Sequence, residues 1–137
     1  MFKKQEIEAM EDISPPSVPF SASSSDEDES IAAIYLVDTA DIIYLKKEKN
    51  YTIGRTTKKQ MVIPDIDLTP YEAYKAGVSR LHANINTKGT QVTFKDLGSS
   101  NGSRLNGMKI TARAEHTIQH GDIITLGSLK AQIFLRE

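Results

Sequence analysis

The pattern of apolar and polar residues changes character near residue 31. Before it, no apolar face repeats with a helical or a strand period. After it, short apolar segments recur, most of them with a period of two. Ile31 to Val37 and Ile42 to Leu45 flank Asp38-Thr39-Ala40-Asp41, which predicts a hairpin. Tyr51-Thr52-Ile53 predicts a short strand ending at Gly54-Arg55, and Met61-Val62-Ile63 resumes apolar character after a basic loop holding Lys58 and Lys59. Further along, Leu81, Ala83 and Ile85 alternate with His82, Asn84 and Asn86. Val92 and Phe94 alternate with Gln91, Thr93 and Lys95, and Leu129, Ala131, Ile133 and Leu135 with Lys130, Gln132 and Arg136. Successive strand side chains point to opposite faces, so each run predicts one buried face and one open face. Ile123 to Leu126 adds another strand between the turns His120-Gly121-Asp122 and Gly127-Ser128.

One segment departs from this period. Asp65 to Gly77 predicts a two-turn helix, with Thr69 as cap, Pro70 at the first helical position, Glu72 completing a capping box and Gly77 as the left-handed stop. Tyr71 and Tyr74 would share one face of it. About ten short strands with one helical insertion predict an all-β sandwich whose function resides in loops clustered at one end.

Composition divides the chain. Residues 1–30 hold two lysines against eight carboxylates, a net of −6, so with the whole chain at −1 the remaining residues carry +5. This first segment, rich in serine and proline, predicts a disordered acidic tail, and residues 31–137 a folded domain with a basic surface suited to an anionic partner. Ser23 to Ser30 fits a phosphorylation site, a segment folding back on the basic body, or a plain solvated linker. The chain has no cysteine, which excludes a disulfide scaffold, a thiolate zinc site and a cysteine nucleophile. No apolar run approaches the roughly 18 residues of a membrane span, and Met1 to Met10 interleaves too much charge for a signal peptide. A cytoplasmic location is expected.

Enzyme signatures are weak. Gly102 to Lys109 has the glycine spacing of a P-loop, but Met108 stands where the lysine belongs. His116 and His120 are four apart without an intervening glutamate, and no serine sits in a Gly-x-Ser-x-Gly elbow. Tyrosines 51, 71 and 74 lie near basic loops, yet the lysines are scattered rather than clustered as a nucleic-acid face requires. No catalytic residue, metal, cofactor, nucleic acid or membrane is expected.

Asp96 to Gly107 stands out, with three glycines, three serines and two Asn-Gly pairs in twelve residues. Asn-Gly favours tight turns, and turns with free amides and small hydroxyls bind oxyanions. A flexible loop fits the same composition. Two arginines lie in other predicted loops, in Gly54-Arg55 and Ser79-Arg80-Leu81-His82. The planar guanidinium suits phosphate because it donates two parallel, charge-assisted hydrogen bonds. Alternating with core positions, His82 reads as a hydrogen-bonded structural residue.

Gly54-Arg55, Ser79-Arg80-x-His82 and Asp96-Leu97-Gly98-Ser99-x-Asn101-Gly102-Ser103-x-x-Asn106-Gly107, in this order, resemble the forkhead-associated (FHA) domain, bacterial type. Gly121-Asp122-x-Ile124 and Leu126-Gly127 are similar to that family too. The resemblance covers about Ile31 to Glu137 and implies a sandwich of about eleven strands that binds threonine-phosphorylated peptides or proteins in signalling, without catalysis or cofactor. Carried over by position, Arg55 and Ser79 would hold the phosphate, Arg80 would add charge, Ser100 would also reach it, and Asn101 would bond the peptide backbone. Gly54, His82, Gly102 and Asn106 would shape the loops.

Two departures matter: Ser103 replaces the usual threonine, and the segment before Ser79 is longer than in many members. Tyr71 or Tyr74 would then either border the peptide groove or pack inward. A phosphate-independent structural or oligomerisation domain on the same sandwich is the alternative. The partner's identity, the kinase and the oligomeric state are not encoded legibly.

Overall fold

The computed structural model describes residues 30–59 and 62–136. Apart from Ser30, the acidic serine- and proline-rich segment expected as a tail lies outside the described residues, as does Met61. Eleven strands follow in chain order: β1 (Ser30–Leu36), β2 (Asp41–Lys46), β3 (Lys49–Gly54), β4 (Ile66–Asp67), β5 (Leu81–Lys88), β6 (Gln91–Asp96), β7 (Ser103–Leu105), β8 (Met108–Lys109), β9 (Glu115–Ile118), β10 (Ile123–Leu126) and β11 (Leu129–Leu135). One sheet has the order β8-β7-β10-β11-β1-β2, the other β9-β6-β5-β3-β4. This is the β-sandwich the alternation predicts.

The core lies between the sheets. Ile34, Leu45, Ile53, Ile85, Phe94, Ile124, Leu126 and Ile133 are each at most 1% exposed. Close packing of such side chains is the main source of stability in a domain of this size. Ser30 already belongs to the sandwich: it is buried and pairs with Lys46 across β1 and β2.

Two sequence expectations fail locally. Asp65 to Gly77 is not a helix: Ile66–Asp67 pair in parallel with Ile53–Gly54, and a single 3-10 turn at Thr69–Tyr71 is followed only by turns. The Thr69 hydroxyl expected to cap a helix instead accepts the Thr56 amide (2.9 Å) and donates to Asp67 (2.6 Å). Glu72 adopts φ +63°, which ends any right-handed helix after one turn. Gly77 does take the left-handed conformation expected of it, at φ +81°.

The second difference lies in the first two residues of β5, ahead of the alternation that Ala83, Ile85 and Thr87 keep. Leu81, expected on the buried face, is 41% exposed, whereas His82 is fully buried. A register shift between Ile53, which pairs with Ala83, and Gly54, which pairs with Leu81, accompanies this, since an irregularity of one residue exchanges the faces ahead of it. Val62 and Ile63, read as resumed apolar character, form no strand and lie exposed.

Candidate functional site

The β3–β4, β4–β5 and β6–β7 loops meet at one end of the sandwich around an open cleft of about 720 Å³. Its walls are Arg55, Lys59, Val62, Ser79, Arg80, Leu81, Gly98, Ser99 and Ser100. Of the residues expected at the site, Arg55, Ser79, Arg80 and Ser100 thus line one cavity. Asn101 lies outside that lining, exposed, with its amide Nδ2 donating to the Gly77 carbonyl (2.9 Å).

Arg55 follows the last residue of β3 and is held in three ways. Its amide donates to the Arg80 carbonyl (3.2 Å), its Nε donates to the Val78 carbonyl (2.6 Å), and its guanidinium lies 5.0 Å from the centre of the Tyr74 ring. The first of these anchors depends on Gly54, because a Cβ there would collide with the Arg80 carbonyl oxygen. Of the two tyrosines, Tyr71 packs against the core while Tyr74, 77% exposed, flanks Arg55.

Ser79 is fixed from both sides. Its amide donates to His82 Nδ1 (2.9 Å), and its Oγ accepts the Ser100 amide (3.0 Å), which ties the β4–β5 loop to the β6–β7 loop. Because Nδ1 accepts, the His82 proton resides on Nε2, which donates to the Gly102 carbonyl (3.0 Å). That carbonyl also accepts the Gly127 amide (3.0 Å), joining both sheets behind the cleft. Asn106, at φ +51°, accepts the Ile123 amide on its side-chain oxygen and donates Nδ2 to Asp122, clamping the β7–β8 turn to β10.

Asp96 organises the glycine- and serine-rich loop from below, a role the sequence reading did not assign. Its buried carboxylate accepts the amides of Gly98 (2.8 Å) and Ser99 (3.0 Å) and the hydroxyls of Ser99 (2.6 Å) and Ser103 (2.5 Å). An Asp two and three residues before Gly-Ser is the signal that could have found it, because such side chains bond backbone amides just ahead. Ser103, present where threonine is usual, still supplies the hydroxyl. Lys59, Val62 and Leu81 were missed because they join the cleft only through the loop path and the irregularity at the start of β5.

Two buried groups make folding sensitive to acid. Burial lowers the pKa of His82 below its ordinary 6.5, outweighing the Gly102 carbonyl and the Asp96 charge, which pull it up. Burial alone would raise that of Asp96, but the hydrogen bonds from Ser103, Ser99 and Gly98 hold it below 3.8. In both cases the unfolded chain takes up the proton first as pH falls, so the folded state loses stability. The denaturant midpoint should therefore be flat above neutrality, decline as pH drops below about 6.5 and decline again below about 3.8. His82→Gln should remove the first decline, and urea titrations between pH 8 and pH 3 check it.

The FHA domain family model matches residues 51–127, more than half of the chain and all three cleft loops. The chain belongs to the FHA family. Protein FraH of Nostoc sp. is 36% identical to this FHA protein over 72 residues, covering 53% of this chain and 25% of FraH. The chain therefore matches about a quarter of the length of that curated relative. An FHA domain from Chlamydia trachomatis superposes with a TM-score of 0.64 at 24% identity, covering 79% of this chain and all of that one. EmbR of Mycobacterium tuberculosis, solved in complex with a low affinity phosphopeptide, gives 0.62 at 26% identity over 82% of this chain and 26% of EmbR. No helix among the described residues is long and apolar enough to cross a membrane.

Proposed function

We propose that this FHA domain binds threonine-phosphorylated peptides or proteins in the cleft between its three loops, as a recognition module without catalysis. The observation that carries the reading is the convergence of Arg55, Ser79, Arg80 and Ser100 on one open cavity whose lining, among the described residues, contains no carboxylate. A phosphate brings about −1.5 to −2 charges at neutral pH and three acceptor oxygens, which such a lining can meet with guanidinium and hydroxyl donors.

Roles divide by geometry. Arg55, half-buried and anchored, is the preorganised cation, while Arg80 is exposed and adds charge with more freedom. Ser79 uses its Oγ as acceptor for the Ser100 amide, so that bond leaves its hydroxyl hydrogen for the phosphate. Asn101, held by Nδ2 on Gly77, presents its carbonyl oxygen to a peptide amide beside the phosphothreonine. Gly54, His82, Gly102 and Asn106 keep the loops in register.

Calorimetry of the full chain against a phosphothreonine peptide library and its unphosphorylated twins tests this. Phosphorylation should strengthen binding by at least about 30-fold, equivalent to about 2 kcal/mol of charge-assisted hydrogen bonding. Equal affinity for both forms would overturn the reading in favour of a phosphate-independent interaction domain.

A further inference from the structure

The cleft holds more positive charge than one phosphate uses. Arg55, Lys59 and Arg80 line it, and among the described residues no carboxylate does. A fourth cation, Arg113 in the loop between β8 and β9, reaches the same wall from outside: the missing Cβ of Gly98 would stand 3.6 Å from its Nη2 and 3.9 Å from its Nε. Gly98 is thus the thin partition between the cleft and this guanidinium.

Arg113 is also held in an unfavourable conformation. Its φ is +73°, a region that side-chain-bearing residues seldom enter, and its amide is fixed there by the Asp96 carbonyl (2.8 Å). The same Asp96 binds the Gly98 and Ser99 amides through its carboxylate, so one residue sets both the loop and the arginine beside it. No salt bridge pairs Arg113 with a carboxylate among the described residues.

We propose that the cleft selects ligands bearing a second anionic group close to the phosphate, an acidic side chain on the same peptide, and that Arg113 reads that group across Gly98. The inference rests on the phosphothreonine reading above. It adds a specificity-determining residue from a loop that carries none of the residues assigned to the phosphate. Because Gly98 has no side chain, a carboxylate passing over it meets no steric barrier. At φ +82° that position also disfavours any residue that would build one.

The experiment compares a phosphothreonine peptide with neutral flanks against versions carrying one aspartate at each of the three positions on either side, titrated calorimetrically with the full chain. At one position the aspartate should raise affinity about three- to fivefold, the range for a solvent-accessible ion pair, and the gain should shrink with added salt. In Arg113→Gly the ratio of acidic to neutral affinity should fall to about one, and in Arg113→Lys part of the gain should remain. Glycine tolerates the left-handed backbone, so Arg113→Gly should melt no lower than the parent, which separates lost recognition from lost folding. No aspartate effect at any position, or an effect that survives in Arg113→Gly, would overturn the proposal. Failure of every phosphopeptide, neutral or acidic, would instead overturn the reading on which it rests.

Discussion

Arg55→Ala should weaken phosphothreonine-peptide binding by about 3 kcal/mol, on the order of 100-fold. The guanidinium is the cleft's only half-buried arginine, with Nε committed to the Val78 carbonyl and one face against Tyr74, so its remaining donors face the cavity already ordered. A preorganised fork loses little side-chain entropy on binding, which is why its removal should cost more than that of the exposed Arg80. Arg55→Lys keeps the charge but neither the paired donors nor the bond from Nε, and should recover only about a tenth of the original affinity. Calorimetry with a single phosphopeptide checks the series. A loss below about threefold in Arg55→Ala would assign the phosphate to other residues. The melting temperature should fall by only a few degrees, since the arginine's structural contacts are one hydrogen bond and one stacking contact.

Gly54→Ala should be the most damaging single-methyl change in the cleft region. The added Cβ would overlap the Arg80 carbonyl oxygen and stand 2.7 Å from the Arg80 carbonyl carbon and 2.9 Å from the Ser79 oxygen, all of them backbone atoms that no rotamer change can move. Relief requires β3 and the β4–β5 loop to separate, which breaks the hydrogen bond from the Arg55 amide to Arg80 and disturbs that from Leu68 to Gly54. Overpacking of this kind costs about 3 kcal/mol, enough to lower the melting temperature by roughly 10 °C in a domain of this length. Gly89→Ala is the matched control: it has φ +61° but nothing within 4 Å of an added Cβ, so only backbone strain of about 1 kcal/mol applies. Differential scanning calorimetry of the two variants should give a clearly larger shift for Gly54. Equal shifts would show that the two loops yield to each other. Phosphopeptide affinity should fall in Gly54→Ala as well, because the same carbonyl that it displaces positions Arg55.

The glycine- and serine-rich segment illustrates how a local signal acquires meaning. Its composition alone fits an anion loop or a floppy one. The buried carboxylate of Asp96, accepting four hydrogen bonds from Gly98, Ser99 and Ser103, makes it ordered, and the bond from the Ser100 amide to Ser79 attaches it to the loop that follows β4. Ser79 and Asp96 are both prominent in the sequence. That they act on one loop from opposite sides is a relation between distant segments.

What the sequence determined by itself was the sandwich, its longer strands and four of the polar residues that line the cleft, Arg55, Ser79, Arg80 and Ser100. Period-two alternation is a local property, and the spacing of Gly54-Arg55, Ser79-Arg80 and Asp96 to Gly107 survives in one dimension. Tertiary structure decided the rest. Thr69, Pro70 and Glu72 are helix-start signals worth about 1 kcal/mol each at most, whereas pairing of Ile66–Asp67 with Ile53–Gly54 and the hydrogen bonds joining Thr69 to Asp67 and Thr56 commit the backbone to another path. The register shift opposite Gly54 likewise accompanies an outward Leu81 and a buried His82. The approach of Arg113 to Gly98 joins two loops that no sequence period connects. Each of these outcomes depends on which distant backbone atoms a residue meets, and those meetings exist only once the two sheets have closed on their core.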